Sequence, residues 1–366
     1  MESLKFSKLA ISNFRNICPD IIEFSTGINC IFGENGNGKT NILEAIYFLA
    51  NNKSFRKNAS FPQFLNINGE ETEIIFSSVL QSDTSGPKSY STRLTLGKSE
   101  WFWNSKPCKK KLPIEVVFVN PFDSYSFHNQ ASARRNWFDH YMSTIDKDFK
   151  KLLGLFNATL RFRNKLLSKK PDKYWEQIQA IDPQFIKYSL HLIHKRKEFL
   201  KEINPYICEA FKKIFSEEHS LNIQIESKFS DFSSKKIEDY YSEQRERDKI
   251  LGYTSYGVHK DDYILLFDGL NAFEYCSLGQ QKMSFLSLLF AYVELFRYKF
   301  NTFPIVLLDD VSGELDRIRW QNLVAYLSHS KFQVLITTAN EKFREELEKI
   351  GNAKKLYVDA GSIRSI

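Results

Sequence analysis

Cysteine is scarce, with five residues in a chain of 366, at positions 18, 30, 108, 208 and 276. The number is odd, and no CxxC pair or cysteine–histidine cluster occurs, which argues against a disulfide framework and against a zinc site. Long hydrophobic runs are missing too. The longest, residues 283–296, has 14 residues and is interrupted by Ser284, Ser287 and Glu294, whereas a bilayer span needs about 20. The opening MESLKFSKLAISNF lacks the apolar stretch and small-residue cleavage site of a secretion signal. Together these absences predict a soluble, cytoplasmic chain with no membrane partner. There is no internal repeat, no low-complexity tract and no strong charge bias: 51 Lys+Arg against 44 Asp+Glu leave +7, well short of a polybasic composition. Aromatics, by contrast, are abundant at 15%, with 32 Phe beside only 3 Met. So ring-rich a chain can bury a core and is not disordered, and its length suits about two domains.

The pattern of apolar residues divides the chain in three. Residues 5–16 and 27–32 read as strands, the second running into a glycine-rich turn, and residues 41–49 (NILEAIYFL) have helical spacing. Short strand-like segments fill 64–103, broken by a polar turn at 82–87, and 114–119 is one more apolar strand. From 134 to 215, Leu, Lys and aromatics recur at three- and four-residue spacing, punctuated by Pro171 and Pro205. The apolar stripe there lasts about three heptads, enough for a helical hairpin but not a long coiled coil. The polar stretch 229–249 reads as a flexible link. Strand–helix alternation then returns: strand 263–267, helix 279–300, strand 304–308, helix 317–327, strand 332–337. Such alternation predicts an α/β fold with a mainly parallel sheet. It is split as residues 1–123 plus 255–366 around a mainly helical insertion, 124–254.

Charge is distributed unevenly over these segments. Residues 134–201 hold 16 Lys+Arg and 7 Asp+Glu, a net of +9, and residues 202–254 a net of −3. The two α/β halves together are left with only +1. The excess is either a solvated lysine face or a surface for a polyanion. Candidate contacts are Arg134, Arg135, Lys169, Lys170, Lys195 and Arg196.

Three motifs carry chemistry. GENGNGKT comprises Gly33, Glu34, Asn35, Gly36, Asn37, Gly38, Lys39 and Thr40, between a predicted strand and a predicted helix. Its G-x-x-x-x-G-K-T spacing lets successive backbone N–H groups face phosphate oxygens. Lys39 supplies a charge for the β- and γ-phosphates of ATP, Thr40 a hydroxyl for Mg²⁺, and the helix its positive end. PIVLLDDVSGELD, residues 304–316, reads as a buried strand whose edge presents Asp309 to the metal and Asp310 to the attacking water. CSLGQQKMSFLSLLFA, residues 276–291, places Ser277, Gly279 and Gln280 before an apolar helix. That is a second anion site, or an ordinary Ser-capped core helix. His259 beside Asp261 and Asp262 reads as a turn with a buried histidine rather than a metal cluster.

In this order the three motifs resemble the ATPase heads of the ABC superfamily, and more narrowly the RecF family of bacterial DNA repair proteins. Smaller segments carry the narrower resemblance: NFRN at 13–16, KSFR at 53–56, NPFD at 120–123, ARRNWFD at 133–139, FRN at 162–164, GVHKDD at 257–262 and LLDDVSGELD at 307–316. The chain departs from the family pattern at Leu278, Lys282 and Val258, and Thr337 and Thr338 stand where many ABC ATPases place a histidine.

The resemblance implies an ABC-type P-loop ATPase head with a helical insertion lobe. The motifs themselves predict an ATP-dependent homodimer that clamps single-stranded, duplex or gapped DNA; the resemblance adds a role in replication-coupled repair and the SOS response, helping to load recombinase. RecR and RecO are the partners it implies. Asp310 is one methylene shorter than the glutamate usual in ABC enzymes, so the expected ATPase is weak, a timer rather than a motor. The alternative is the ATPase subunit of a membrane transporter. A chromosome-organising ATPase would need a far longer coiled coil than the 236 residues between Thr40 and Ser277 allow. A nuclease of the overcoming-lysogenization type would need a further acidic domain after Asp310.

Overall fold

The computed structural model describes residues 2–56, 59–66, 69, 71–109, 112–313 and 315–365. They pack as two units: residues 1–123 with 213–215 and 296–366, and residues 124–212 with 216–295. The first break falls where the apolar strand 116–119 ends. Residues 255–295, grouped with the α/β half on sequence, pack with the helical unit instead.

Two sheets build the first unit. One is six-stranded and antiparallel, in the order Asp20–Glu23, Leu4–Ser12, Ile74–Ser82, Lys88–Thr95, Lys98–Trp103 and Lys106–Pro107. Its strand Leu4–Ser12 carries a bulge between Phe6 and Lys8. Inward-facing residues therefore switch from Leu4 and Phe6 to Leu9 and Ile11, as expected when one extra residue enters a period of two. The other sheet runs Ser362–Ser365, Lys354–Asp359, Ile28–Phe32, Val334–Thr338, Ile305–Leu308 and Val116–Val119. All its pairings are parallel except the final hairpin. Strands Ile28–Phe32, Ile305–Leu308 and Val334–Thr338 are buried at every position, the signature of a parallel sheet covered on both faces. The helix Lys39–Asn51 shares one core with both sheets. Its Ile42, Leu43, Ile46 and Leu49 join Phe6, Leu9 and Phe76 of the antiparallel sheet and Ile31, Leu307 and Leu335 of the parallel one.

The second unit is mainly helical, with Ala131–Ile145, Lys147–Lys169 and most of Tyr174–Ile214 its longest elements besides the start of Leu278–Phe300. A small antiparallel sheet pairs Leu221–Glu226, Asp262–Phe267 and Leu270–Asn271. Two expectations are corrected here. Pro205 does not end a helix; Tyr174–Ile214 runs through both Pro183 and Pro205. Beside the second proline, Asn204 exchanges two hydrogen bonds with the backbone of Ile223, so tertiary contacts hold a helix that proline weakens. Residues 229–249 are not a link. They contain the helices Ser234–Glu243 and Arg245–Leu251, the first capped by the Ser233 side chain and anchored by buried Ile237 and Tyr241 at i and i+4. Among the described residues no helix is long and apolar enough to cross a membrane.

Candidate functional site

Strand Ile28–Phe32 delivers the chain to the loop 33–40, and helix Lys39–Asn51 takes it away. Gly38 occupies the N-cap with φ +110°, and a Cβ there would lie 2.7 Å from Asn16 Oδ1. Only glycine fits both the angle and the space. The first helical turn carries no acidic residue, so its free N–H groups and positive end remain suited to an anion. Glu34, Asn35 and Gly36 are exposed. Lys39 is nearly buried, and its Nζ donates to the carbonyls of Gly33 and Glu34, both at 2.8 Å. Burial holds the Lys39 ammonium below its ordinary pKa, against the pull of Asp310 and Asp309.

Strand Ile305–Leu308 sets the two carboxylates beside this loop. Thr40 Oγ1 lies 2.9 Å from each Asp309 oxygen, bridging 269 residues of sequence. Thr337 Oγ1 donates to Asp309 Oδ1 at 2.8 Å and accepts the Asp310 N–H at 2.9 Å. The threonine at the end of strand Val334–Thr338 thus latches both acids, a role its position on the sequence did not disclose. Burial pushes the Asp309 carboxyl above its usual range, opposed by the Thr337 and Thr40 hydrogen bonds. Asp310 is held at φ +43°, with Ser312 Oγ donating to its Oδ1 at 3.2 Å. A hydroxyl and a buried carboxylate at the foot of the glycine-rich loop form an all-oxygen donor set, which fits a hard divalent ion such as Mg²⁺. Glu314 of this motif lies outside the described residues.

A brace behind the loop was invisible as chemistry in the sequence. The expected strand 5–16 stops at Ser12, and Asn13 and Arg15 take left-handed backbone angles. This turn lets Asn16 Nδ2 donate to the Gly36 carbonyl at 2.9 Å and Oδ1 accept from Asn41 at 2.7 Å. Arg15 forks onto Glu44, whose side chain is fully buried, at 3.1 and 2.9 Å. Arg56 reaches the same carboxylate at 3.4 Å and donates to Asn41 at 2.7 Å. From the other side, the turn between Lys354–Asp359 and Ser362–Ser365 closes on the loop, with the Gly361 N–H donating to the Asn37 carbonyl at 3.0 Å. The segments NFRN and KSFR therefore act together, through Glu44, to hold the loop 33–40.

Ser277, Gly279 and Gln280 lie in the second unit. The Ser277 N–H donates to Gln280 Oε1 at 2.8 Å, and the Gln280 N–H to Ser277 Oγ at 3.3 Å. This reciprocal pair is a capping box for helix Leu278–Phe300. Ser277 and Leu278 are nevertheless exposed. The next turn is fixed from within: His128 Nε2 donates to the Gln281 carbonyl at 2.9 Å, and Gln281 Nε2 donates to the Phe273 and Cys276 carbonyls.

The basic candidates separate into two groups. Arg196 is 2% exposed, bonded to the Val258 carbonyl and paired with Asp139 and Asp261 at 3.1 and 3.3 Å. Arg134 forks onto Asp262 at 2.7 Å per bond and donates to the Phe127 and His128 carbonyls. Arg135 donates to the Asp261 carbonyl at 3.0 Å. Arg196 is an internal strut, which corrects its assignment as a contact for a polyanion, and Arg134, half-buried, is committed to Asp262; their carboxylates lie too far away in sequence to be foreseen. Lys195 is paired with Asp146 at 3.0 Å. Lys169 and Lys170 are exposed.

Residues 5–356 match the RecF/RecN/SMC N-terminal domain family. The DNA replication and repair protein RecF of Agathobacter rectalis is 33% identical over 96% of this chain and 98% of its own length. That of Azobacteroides pseudotrichonymphae is 31% identical over 98% of each. Among solved structures, the recombination mediator protein RecF–ATP of the RecFOR pathway aligns with a TM-score of 0.79 at 24% identity, covering 100% of this chain and 98% of that one. The Smc head domain of Pyrococcus furiosus, solved with an extended coiled coil, aligns with a TM-score of 0.61 at 15% identity, covering 99% and 96%. The fold is thus that of an ABC-type ATPase head, no transporter subunit is among these relatives, and the chain belongs to the RecF family.

Proposed function

We propose that this chain is an ATP-dependent DNA-binding protein of replication-coupled recombinational repair, working as a homodimeric clamp on single-stranded, duplex or gapped DNA. One observation carries the nucleotide part. Lys39, Thr40, Asp309 and Asp310 converge at one end of the parallel sheet, tied by the Thr40–Asp309–Thr337 hydrogen bonds. Family membership and the names of the relatives support the repair role.

On this reading the backbone N–H groups of residues 33–40 and the helix behind them bind the triphosphate. Lys39 exchanges its carbonyl partners for the β- and γ-phosphate oxygens, which return more to a charge largely withdrawn from water. Thr40 and Asp309 are the residues that would hold Mg²⁺, whose charge offsets that of the phosphates when bound. Asp310, set at the edge of the same strand, orients or deprotonates the attacking water. With a side chain one methylene short for that task, it makes a weak ATPase. Ser277, Gly279 and Gln280 of a second copy cap the γ-phosphate, so that nucleotide joins two heads and hydrolysis releases them. The functional head, defined by these motifs, is residues 1–123 with 255–366, and 124–254 is its insertion. RecR and RecO are the partners this reading assigns, in the cytoplasm.

Fluorescence anisotropy of labelled gapped DNA, with and without ATP, tests it. Retention that depends on ATP and is lost in Lys39→Met supports the reading. Retention with the same ATP dependence in Lys39→Met overturns it.

A further inference from the structure

With Arg196 buried and Arg134 committed to Asp262, the positive charge of the helical unit has to be counted again by what each residue touches. Arg163 is fully buried and pairs with Asp182 at 3.0 Å and Asp248 at 2.9 Å, while donating to Thr254 at 2.7 Å. Arg161, Lys165, Lys169 and Lys170 are exposed, and among the described residues none of the four has a carboxylate partner. The first three are spaced four apart on helix Lys147–Lys169. They form a single stripe with a positive charge about every 6 Å, and Lys170 continues it at the helix C-cap.

Two exposed aromatic side chains belong to the segments beside this stripe. Phe162, next to Arg161, is 47% exposed, and Tyr253 is 45% exposed. Tyr253 is brought there by its neighbours. The Gly252 position lies against Ser168, its would-be Cβ 3.7 Å from the Ser168 Cα. Thr254 donates to Asn164 Oδ1 through both its N–H and its hydroxyl at 2.8 Å. The Arg163 cluster underneath locks both segments, so the surface is organised before anything binds and little ordering entropy opposes binding.

We propose that this face, centred on Arg161, Lys165, Lys169 and Lys170 with Phe162 and Tyr253, is a binding surface for single-stranded DNA. The proposal rests on the DNA-binding reading above and locates it. Unpaired, evenly spaced cations suit a phosphodiester backbone, and exposed rings offer stacking faces that only unpaired bases can use. Duplex DNA would engage the lysines and leave the rings idle.

The test uses the full chain with ATP and fluorescein-labelled oligothymidylate, titrated at several salt concentrations. Arg161→Glu, Lys165→Glu and Lys169→Glu combined should weaken binding by about tenfold or more and flatten the slope of log affinity against log salt by about two. The neutral set Arg161→Gln, Lys165→Gln and Lys169→Gln should act in the same direction, and thermal melting checks that either variant is folded. Tyr253→Ala should weaken binding about tenfold at all salt concentrations, and Tyr253→Phe should restore it. If wild type binds the oligonucleotide and the variants bind it equally, the surface is wrong while DNA binding stands. Equal losses of Tyr253→Ala on single-stranded and duplex DNA refute the single-strand assignment. Normal oligonucleotide binding together with loss of an acidic protein partner makes the face a protein-docking site and also overturns the proposal. No DNA binding by wild type in any nucleotide state removes both this proposal and the reading beneath it.

Discussion

Replacing Glu44 by alanine probes the brace behind the phosphate loop. The carboxylate has no exposure and holds Arg15 by two hydrogen bonds and Arg56 at 3.4 Å. Removing one member of a buried ion pair costs about 3–5 kcal/mol. Here the groups left behind are guanidiniums with 15% and 37% of their side-chain surface exposed, which water partly compensates. The expected loss is therefore about 2–3 kcal/mol. Glu44→Gln keeps an acceptor for Arg15 and should lose about 1 kcal/mol. Stability is only half of the prediction. Freed from Glu44, Arg56 no longer holds Asn41, which bonds Asn16, which bonds the Gly36 carbonyl. Loosening one such hydrogen bond should lower ATP affinity by about tenfold. Urea unfolding followed by tryptophan fluorescence, with Trp101 and Trp103 in the same unit, reads the first effect. Titration with a fluorescent ATP analogue reads the second. An alanine variant with an unchanged unfolding midpoint and unchanged ATP affinity would refute the brace.

Three further outcomes follow from the same geometry. Gly361→Ala forces a left-handed residue at φ +84° and a Cβ 1.7 Å from the Asn16 carbonyl oxygen. It should cost about 3 kcal/mol in unfolding experiments and weaken nucleotide binding, because Asn16 must move; unchanged nucleotide affinity would separate the hairpin from the loop. Asp310→Asn should bind ATP and persist as a dimer, and rapid turnover by that variant would remove Asp310 from its role. Acid should destabilise the second unit. Burial lowers His128 and His259 from 6.5 to about 4, so the unfolded chain binds more protons and stability falls as pH drops through that window. Burial raises Asp261 from 3.8 to about 6, so its contribution grows as pH falls and offsets one histidine. The net loss between pH 6.5 and 4 is about 3–4 kcal/mol, read from melting curves across that range. A flat profile would contradict it.

What could be read from the sequence was local. The loop 33–40 announces itself because eight consecutive residues do one job, and the strand ending in Asp309 does so through an apolar run closed by two acids. What could not be read joins residues far apart. Arg15 meets Glu44 and Arg196 meets Asp139 and Asp261 only through the fold, so a net charge of +9 over 134–201 overstated the freely exposed charge. Pro205 misled because Asn204 anchors its helix to a strand formed later in the chain. Residues 229–249 misled because their apolar anchors, Ile237 and Tyr241, are few and set among charges. That residues 255–295 pack with the helical unit was not legible either, because the pairing of strand Asp262–Phe267 with Leu221–Glu226 joins distant segments.

Nucleotide in the loop 33–40 is expected to join two copies of this chain. Sedimentation velocity of the wild type and of Lys39→Met, each with ATP and Mg²⁺ and each without, tests it most directly. Only the wild type with ATP should sediment as a dimer. A wild type that stays monomeric with ATP, or a Lys39→Met variant that dimerises as readily, would contradict it.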